Sequence, residues 1–188
     1  MLPRMGIRRN ATGLAFIIMT TTAALAACAA PASTATGAAP PTASAPPADS
    51  STVEQWASLI ARQQADWEDW SKDWDRDCNA IYASSEAGAL CRLQLMSAMY
   101  MSQTTAIEYQ LATTSGKKGF IAANPPAEIS GLFAETREAA QAAQQSAEAW
   151  DGAGCSLEVT DECGGLTVAF DRAIDDLTDA FVGWTPYM

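Results

Sequence analysis

The sequence predicts an all-α protein, an up-and-down four-helix bundle with two hairpin disulfides that follows a disordered tether. Apolar residues recur at alternating steps of three and four in four segments, which short connections separate. Four cysteines form two pairs, each symmetric about a predicted turn. Near residue 51 the composition changes from Ala, Pro, Ser and Thr to a mixture rich in tryptophan and charge. The bundle domain is therefore expected over residues 52–188.

The first helix is predicted to begin at Ser51 or Thr52. Each precedes a Glu or Gln by three positions, which is the pattern of a capping box. The core-facing seam of this helix comprises Val53, Trp56, Ile60, Gln63, Trp67, Trp70 and Trp74. The opposite face is acidic and includes Asp66, Asp69, Asp73 and Asp75.

The second helix repeats the same spacing after a turn region at 78–85. We expect its core-facing seam to consist of Leu90, Leu93, Ser97, Tyr100, Thr104, Ile107 and Leu111. The helix is predicted to end near Thr113, because the following stretch 115–119 contains two glycines and is typical of a loop.

The third helix is predicted to start at Asn124, as its cap, with Pro125 and Pro126 in the first helical positions. It extends to Trp150 or Asp151. Its expected seam is Ile129, Leu132, Thr136, Ala139, Ala143, Ser146 and Trp150. Many other positions are alanine, which propagates a helix well and lets a neighbouring helix approach closely.

The fourth helix is predicted from about Cys163 or Gly164 to Gly183. Its apolar positions are Leu166, Phe170, Ala173 or Ile174, Leu177, Phe181 and Trp184. Short connections between four such helices favour an up-and-down path.

The four cysteines of the predicted domain indicate disulfides. No two of them have the Cys-x-x-Cys spacing, so a zinc site or a redox motif has little support. In an antiparallel hairpin, residues equidistant from the turn face each other, which pairs Cys78 with Cys91 and Cys155 with Cys163. Loop-closure entropy predicts stabilisation of about 3 and about 2.5 kcal/mol.

The N-terminal region has the order of a secretory signal. Arg4, Arg8 and Arg9 precede an uncharged run from Ala11 to Ala27, and small residues follow. The tetrapeptide Leu25-Ala26-Ala27-Cys28 resembles the lipobox of bacterial lipoprotein precursors. This resemblance implies removal of residues 1–27 and attachment of a diacylglycerol to the sulfur of Cys28. The alternative is an ordinary signal peptide or a membrane span. A span needs about 20 apolar residues, whereas the run from Ala11 to Ala27 has 17.

The segment 28–51 is predicted to be a disordered tether after the lipidated cysteine. It consists almost entirely of Ala, Pro, Ser, Thr and Gly, and Asp49 is its one charge. Such a composition cannot bury enough apolar surface to offset the entropy of ordering. The tether would reach roughly 25 Å as a flexible coil and about 65 Å as polyproline II.

The charge of the chain limits its partners. Three of the 11 Lys and Arg residues lie in the predicted signal, so that 8 remain against 22 Asp and Glu and the mature net charge is −14. This charge repels nucleic acid and favours a basic partner. There is no histidine, which removes the usual general base and the commonest metal ligand. We expect no catalytic residues, no metal and no cofactor.

Two groups of residues on the first helix have alternative interpretations. Trp67, Trp70 and Trp74 are typical of a sugar-stacking platform, but they continue the seam and are expected in the core. The acidic residues Asp66, Asp69, Asp73 and Asp75 are the candidate partner-binding face, and a merely solvated face is the alternative. The Asp73-x-Asp75-x-Asp77 pattern lacks the glycine and glutamate that a calcium loop requires.

These observations predict a lipoprotein anchored on the outer face of the cytoplasmic membrane, which acts as a non-catalytic binding module for a basic protein or envelope partner. Its layout of lipobox, tether and small helical domain is similar to that of phage- or prophage-encoded superinfection-exclusion lipoproteins, which block DNA entry. An accessory subunit of an envelope enzyme or transporter is a second alternative. An envelope hydrolase and a structural spacer are further ones.

Overall fold

The structure is a computed structural model that describes residues 50–188. This part of the chain forms the helices α1 Val53–Asp77, α2 Ala80–Ala83, α3 Ala89–Thr113, α4 Ser130–Gly152 and α5 Asp161–Val182. Single 3-10 turns occur at Glu86–Gly88 and Thr185–Tyr187. The predicted signal peptide, Cys28 and the tether up to residue 49 lie outside the described residues. Among helices of the described part, none is both long and apolar enough to cross a membrane.

The four long helices form the predicted up-and-down bundle. Helix α1 packs against α3 and α5, and α4 packs against the same two helices from the other side. The short helix α2 lies in the connection between α1 and α3 and contacts both α3 and α5. The prediction of an all-α bundle is therefore confirmed.

Helix α1 has the predicted start and the predicted core-facing seam. The Thr52 backbone N–H donates to Gln55 Oε1 at 2.9 Å, as in a capping box. Trp56, Ile60, Gln63, Trp67 and Trp74 are buried, and the remaining seam residues are partly buried. Ser51 has another role, because its Oγ accepts a hydrogen bond from Trp56 Nε1 at 2.9 Å.

The predicted seam of the second helix, now α3, is wrong. Leu90, Leu93, Tyr100 and Ile107 are 77%, 58%, 60% and 50% exposed. The buried residues lie on the opposite face and are Cys91, Leu95, Ala98, Met99, Ser102, Thr105, Ala106, Tyr109 and Ala112. Most of these are small, and small residues leave room for the tryptophans of α1. The bridge from Cys91 to Cys78 also requires this face to point inward.

The predicted start of the third helix, now α4, is also wrong. The helix begins at Ser130 rather than after Asn124. Asn124 and Pro125 each precede a proline, which disfavours the α conformation for both. A turn in which the Ile129 N–H donates to the Pro126 carbonyl at 3.1 Å leads into the helix instead. Helix α5 begins at Asp161, slightly earlier than predicted, and Thr160 is its N-cap residue.

Both predicted disulfides are present. Cys78 directly follows α1 and is bonded to Cys91 in the first turn of α3, with a Cα–Cα distance of 5.5 Å. Cys155 follows α4 and is bonded to Cys163 in the first turn of α5, with a Cα–Cα distance of 5.4 Å. Each bridge therefore joins the end of one long helix to the start of the next.

The buried tryptophans have hydrogen-bond partners on neighbouring elements. Trp67 Nε1 donates to Thr105 Oγ1, and Trp150 Nε1 donates to Thr167 Oγ1 at 3.0 Å. Trp184 Nε1, beyond the end of α5, donates to a buried threonine of α4 at 2.9 Å. These bonds remove the cost of burying an unpaired indole N–H and align adjacent helices.

Candidate functional site

The four aspartates predicted to bind a partner are all exposed on α1. Two of them form ion pairs within their own helix. Lys72 Nζ lies 2.8 Å from Asp69 Oδ1, and Arg76 Nη2 lies 2.9 Å from Asp73 Oδ1. Within residues 50–188, Asp66 and Asp75 form no ion pair. The negative charge of α1 is therefore compensated unevenly along the helix.

Asp66 and Asp75 point to opposite sides of α1. They are nine residues apart, which is about two and a half helical turns. Asp66 lines a shallow depression on the α3 side together with Tyr100 and Thr104. Asp75 lines a groove on the α5 side together with Asp179. The aspartates thus belong to two separate surfaces rather than to one continuous patch.

On the α5 side, Asp75 belongs to an acidic cluster, which we define as Asp75, Asp171, Asp175 and Asp179. The three α5 members are spaced by four residues and so lie along one side of that helix. The sequence shows this spacing, but only the packing of α1 against α5 brings Asp75 to it. The sequence indicates a second, solvated acidic face at Asp171, Asp175, Asp176 and Asp179, and what it does not show is that Asp75 of α1 joins this face.

The electrostatics of the acidic cluster are unfavourable. Burial raises the pKa of Asp171, and the charges of Asp175 and Asp75 raise it further, although a hydrogen bond from Trp74 lowers it. Burial likewise raises the pKa of Asp175, and so do the charges of Asp179, Asp75 and Asp176. No Lys or Arg of the described chain forms an ion pair with a member of the cluster.

Several basic side chains of the domain have other partners. Lys72 borders the same groove, but its ammonium group bonds to Asp69. Arg92 donates through Nη1 to the carbonyls of Ala83 and Ser85, at 3.1 and 2.7 Å. Arg137 lies over the Phe133 ring, with its guanidinium carbon 6.0 Å from the ring centroid. The repulsion within the acidic cluster is therefore left unrelieved by these groups.

The described residues do not gather the ligands of a metal ion. Among residues 50–188, no three Cys, Asp or Glu side chains converge in a way that could hold one. Asp73 and Asp77, the outer members of the pattern that resembles a calcium loop, both bond to Arg76. Within the described residues, the acidic cluster is thus not arranged as a metal site.

The tryptophans of α1 belong to the core rather than to a sugar-binding platform. Trp67 and Trp74 are 0% and 5% exposed. Trp70 is partly buried, stacks on Trp74 with ring centroids 5.3 Å apart, and donates to the Gln94 carbonyl at 3.0 Å. The ring faces that a sugar would need are therefore largely covered.

A further cavity of about 720 Å³ lies between α1, α3 and the loop that follows α3. Leu59, Leu111 and Phe120 contribute apolar surface to it. Charged groups of both signs, Arg62 and Glu108 among them, also line it. This balance indicates no preference for an anionic or a cationic ligand.

Comparison of the chain with protein-family models, curated proteins and solved structures finds no significant match. The functional assignment consequently depends on the geometry and charge described above.

Proposed function

We propose that this chain is a lipid-anchored, non-catalytic interaction module on the outer face of the cytoplasmic membrane, and that it binds a basic protein partner. The observation that carries the proposal is the acidic cluster between α1 and α5. The pKa values of Asp171 and Asp175 are raised, and no member of the cluster has an ion-pair partner among the described residues. A Lys or Arg of a partner would supply the missing countercharge.

Binding at the cluster gains free energy from two sources. Each new pair adds a charge-assisted hydrogen bond, and the arriving cation also relieves the repulsion between Asp171 and Asp175. The pKa values of these carboxyls fall when the partner binds, so binding releases protons. We therefore expect affinity for the partner to weaken as the pH is lowered through the raised pKa values.

The overall charge supports the same partner class. A mature net charge of −14 attracts basic surfaces over long range and accelerates their association at low salt. Added salt reduces this attraction, because the Debye length falls to about 8 Å at physiological ionic strength. The same charge disfavours nucleic acid as a partner.

The anchor and tether support action at the envelope. Two acyl chains on Cys28 give stable membrane association, whereas one chain is marginal. The tether then lets the domain reach partners at some distance from the headgroups. The superinfection-exclusion role and the accessory-subunit role are specific forms of this function that differ in the identity of the partner.

The test compares binding of a decalysine peptide to two charge-matched variants of the full chain. Replacing Asp75, Asp171 and Asp175 with Asn removes three charges from the cluster. The control replaces Glu128, Glu135 and Glu138 with Gln, which removes three exposed charges near α4. We expect the first variant to lose about tenfold in affinity at low salt, since three ion pairs of about 0.5 kcal/mol are lost. An equal loss in both variants would show that net charge alone governs binding.

A further inference from the structure

Helix α3 presents an apolar surface that is exposed in the part of the chain that the structure describes, except at the half-buried Leu111. We call it the α3 stripe and define it as Leu90, Leu93, Ser97, Tyr100, Thr104, Ile107 and Leu111. Its four exposed large residues, Leu90, Leu93, Tyr100 and Ile107, are each at least half exposed. The steps between stripe positions alternate between three and four, which is the seam of a coiled coil. A seam of this length on a soluble domain indicates an interaction surface.

The α3 stripe is also free of charge. Of the 25 residues of α3, only Arg92 and Glu108 are charged, whereas ten of the 25 residues of α1 are. Both charged groups of α3 lie beside the stripe and bond within the domain. Arg92 bonds to backbone carbonyls, and Glu108 Oε2 accepts a hydrogen bond from Gln63 Nε2 at 2.6 Å. The seven residues of the stripe therefore carry no charge themselves. The charged groups at its edges are of both signs: Asp66 and Glu108 lie on the α1 side and Arg137 lies on the α4 side.

The absence of charge makes a second copy of this chain the best fit to the stripe. Another copy has the same strong negative charge and is repelled by the acidic surfaces of α1 and α5. It approaches at least electrostatic cost along an uncharged surface. A repeating apolar seam is moreover self-complementary, because a two-fold interface places the same patch on both subunits.

We propose that two copies pair through their α3 stripes, with the two α3 helices parallel. The orientation rests on the proposed lipid anchor. Each tether enters the domain at the start of α1, so parallel α3 helices place both tether attachment points at the same end of the dimer, where both anchors can reach one membrane. A two-fold axis along the bundle then places Leu93 against Leu93, Tyr100 against Tyr100 and Ile107 against Ile107. The flanking position opposite Glu108 in such a pair is Gln103, so no like charges meet.

The size of the stripe makes this dimer weak in dilute solution. A 25-residue helix is about 37 Å long and about 10 Å wide. It therefore buries roughly 370 Å² per partner, about half of the roughly 800 Å² of a standard interface. Confinement to a membrane raises the effective concentration of the two copies and favours pairing. We expect dimers on the membrane and mainly monomers after release and dilution.

Cysteine cross-linking of the full chain in membranes tests the pairing. Ser97→Cys and Thr104→Cys place a thiol on the stripe, and Gln145→Cys places one on the exposed side of α4 as a control. After mild oxidation, the first two variants should run as disulfide-linked homodimers on non-reducing gels, at five or more times the yield of the control. Yields equal to the control, or cross-links to other proteins instead, would overturn self-association.

Mixing differently tagged Ser97→Cys and Thr104→Cys chains tests the orientation. Parallel helices cross-link like with like. If the two α3 helices were antiparallel and symmetric about the midpoint between residues 97 and 104, residue 97 of one chain would lie opposite residue 104 of the other. Ser97→Cys chains would then link to Thr104→Cys chains, and little homodimer of either kind would form. That pattern would contradict the parallel arrangement proposed here.

A second pair of variants separates the stripe from general surface hydrophobicity. In the Ser97→Cys background, Ile107→Glu should reduce cross-linking about tenfold. Leu157→Glu, at an 80% exposed site outside α3, should leave it unchanged. Circular dichroism checks that both variants fold. Equal yields from the two variants would mean that the stripe does not mediate pairing.

The Cys28→Ala variant separates failure of this inference from failure of the proposed function. If it leaves the membrane, the anchor is as proposed, and absence of homodimers from the anchored chain then counts against pairing alone. If it stays on the membrane, the anchor proposal fails, and the cross-linking pattern still reports whether α3 pairs with α3.

Discussion

Trp67 Nε1 donates a hydrogen bond to Thr105 Oγ1 at 3.2 Å, and both residues are completely buried. The Thr105 hydroxyl in turn donates to Gln63 Oε1 at 2.7 Å. Gln63 Nε2 donates to Glu108 at the domain surface. This chain of bonds joins α1 to α3 and turns the Thr105 side of α3 inward. The α3 stripe consequently faces outward.

Thr105→Val should destabilise the domain by about 1 to 3 kcal/mol. The substitution keeps the shape of the side chain but leaves Trp67 Nε1 and Gln63 Oε1 without their buried partner. Urea unfolding followed by tryptophan fluorescence measures the change. Thr104→Val is the control, because Thr104 is exposed and bonds only to the Tyr100 carbonyl of its own helix. Equal effects of the two substitutions would contradict the importance of the buried network.

Removing the disulfides should lower stability according to the length of the loop that each one closes. The Cys78–Cys91 bridge spans 13 residues and the Cys155–Cys163 bridge spans 8. Replacing both cysteines of the first bridge with alanine should cost about 3 kcal/mol, and replacing those of the second about 2.5 kcal/mol. Denaturant unfolding of the two double variants measures these costs. A larger loss in the free energy of unfolding from removal of the second bridge would show that loop-closure entropy is not the main source of the stabilisation.

The acidic cluster should make stability depend on pH. Folding raises the pKa values of Asp171 and Asp175 above 3.8, so the folded state binds protons more readily than the unfolded state. The stability contributed by these two groups is fully present below pH 3.8 and is lost as the pH rises through the raised values. Asp171→Asn combined with Asp175→Asn should therefore be more stable than wild type at pH 7.

Thermal unfolding across a pH series measures this effect. The advantage of the double variant should shrink as the pH falls toward 3.8, because the wild-type carboxyls become neutral as well. Glu135→Gln combined with Glu138→Gln on α4 is the matched control. A constant difference between the double variant and wild type at every pH would rule out titration of the cluster as its cause.

Cys28→Ala should release the protein from the membrane. The substitution removes the sulfur that the lipobox resemblance designates for the diacylglycerol. Within residues 50–188, no helix is long and apolar enough to act as a second anchor. Membrane fractionation followed by immunoblotting measures the distribution. Ser33→Ala, in the tether, is the control and should leave the protein in the membrane fraction. A Cys28→Ala chain that remains fully membrane-bound would remove the basis for the lipobox assignment.

Several features of the fold could be predicted because they depend on neighbours in the chain. The capping box at Thr52 and Gln55, the seam of α1 and the pairing of Cys78 with Cys91 all involve residues a few turns apart. The start of α4 was mispredicted for an equally local reason. Proline suits the first turn of a helix, but two consecutive prolines restrict the residues before them and delay the start.

The candidate site could be predicted only in part. The aspartates of α1 and the four-residue spacing of those on α5 are visible in the sequence. Their meeting at Asp75 is not, because it depends on how α1 and α5 are aligned. The nine-residue spacing of Asp66 and Asp75 already places them on opposite sides of α1, but the sequence does not show which helix flanks each side.

By itself, the sequence determined the helical class, the disulfide pairing and the core positions of α1, because apolar spacing and loop length set these locally. The tertiary structure decided which side of α3 is buried. Both sides of that helix carry residues at core spacing, and the larger apolar residues of the stripe are the ones left outside. The inward side has the small residues that accommodate the α1 tryptophans, together with Cys91 and the hydroxyl of Thr105. Packing volume and buried hydrogen bonds outweighed hydrophobicity there, since a tryptophan left without space or partner costs more than an exposed leucine.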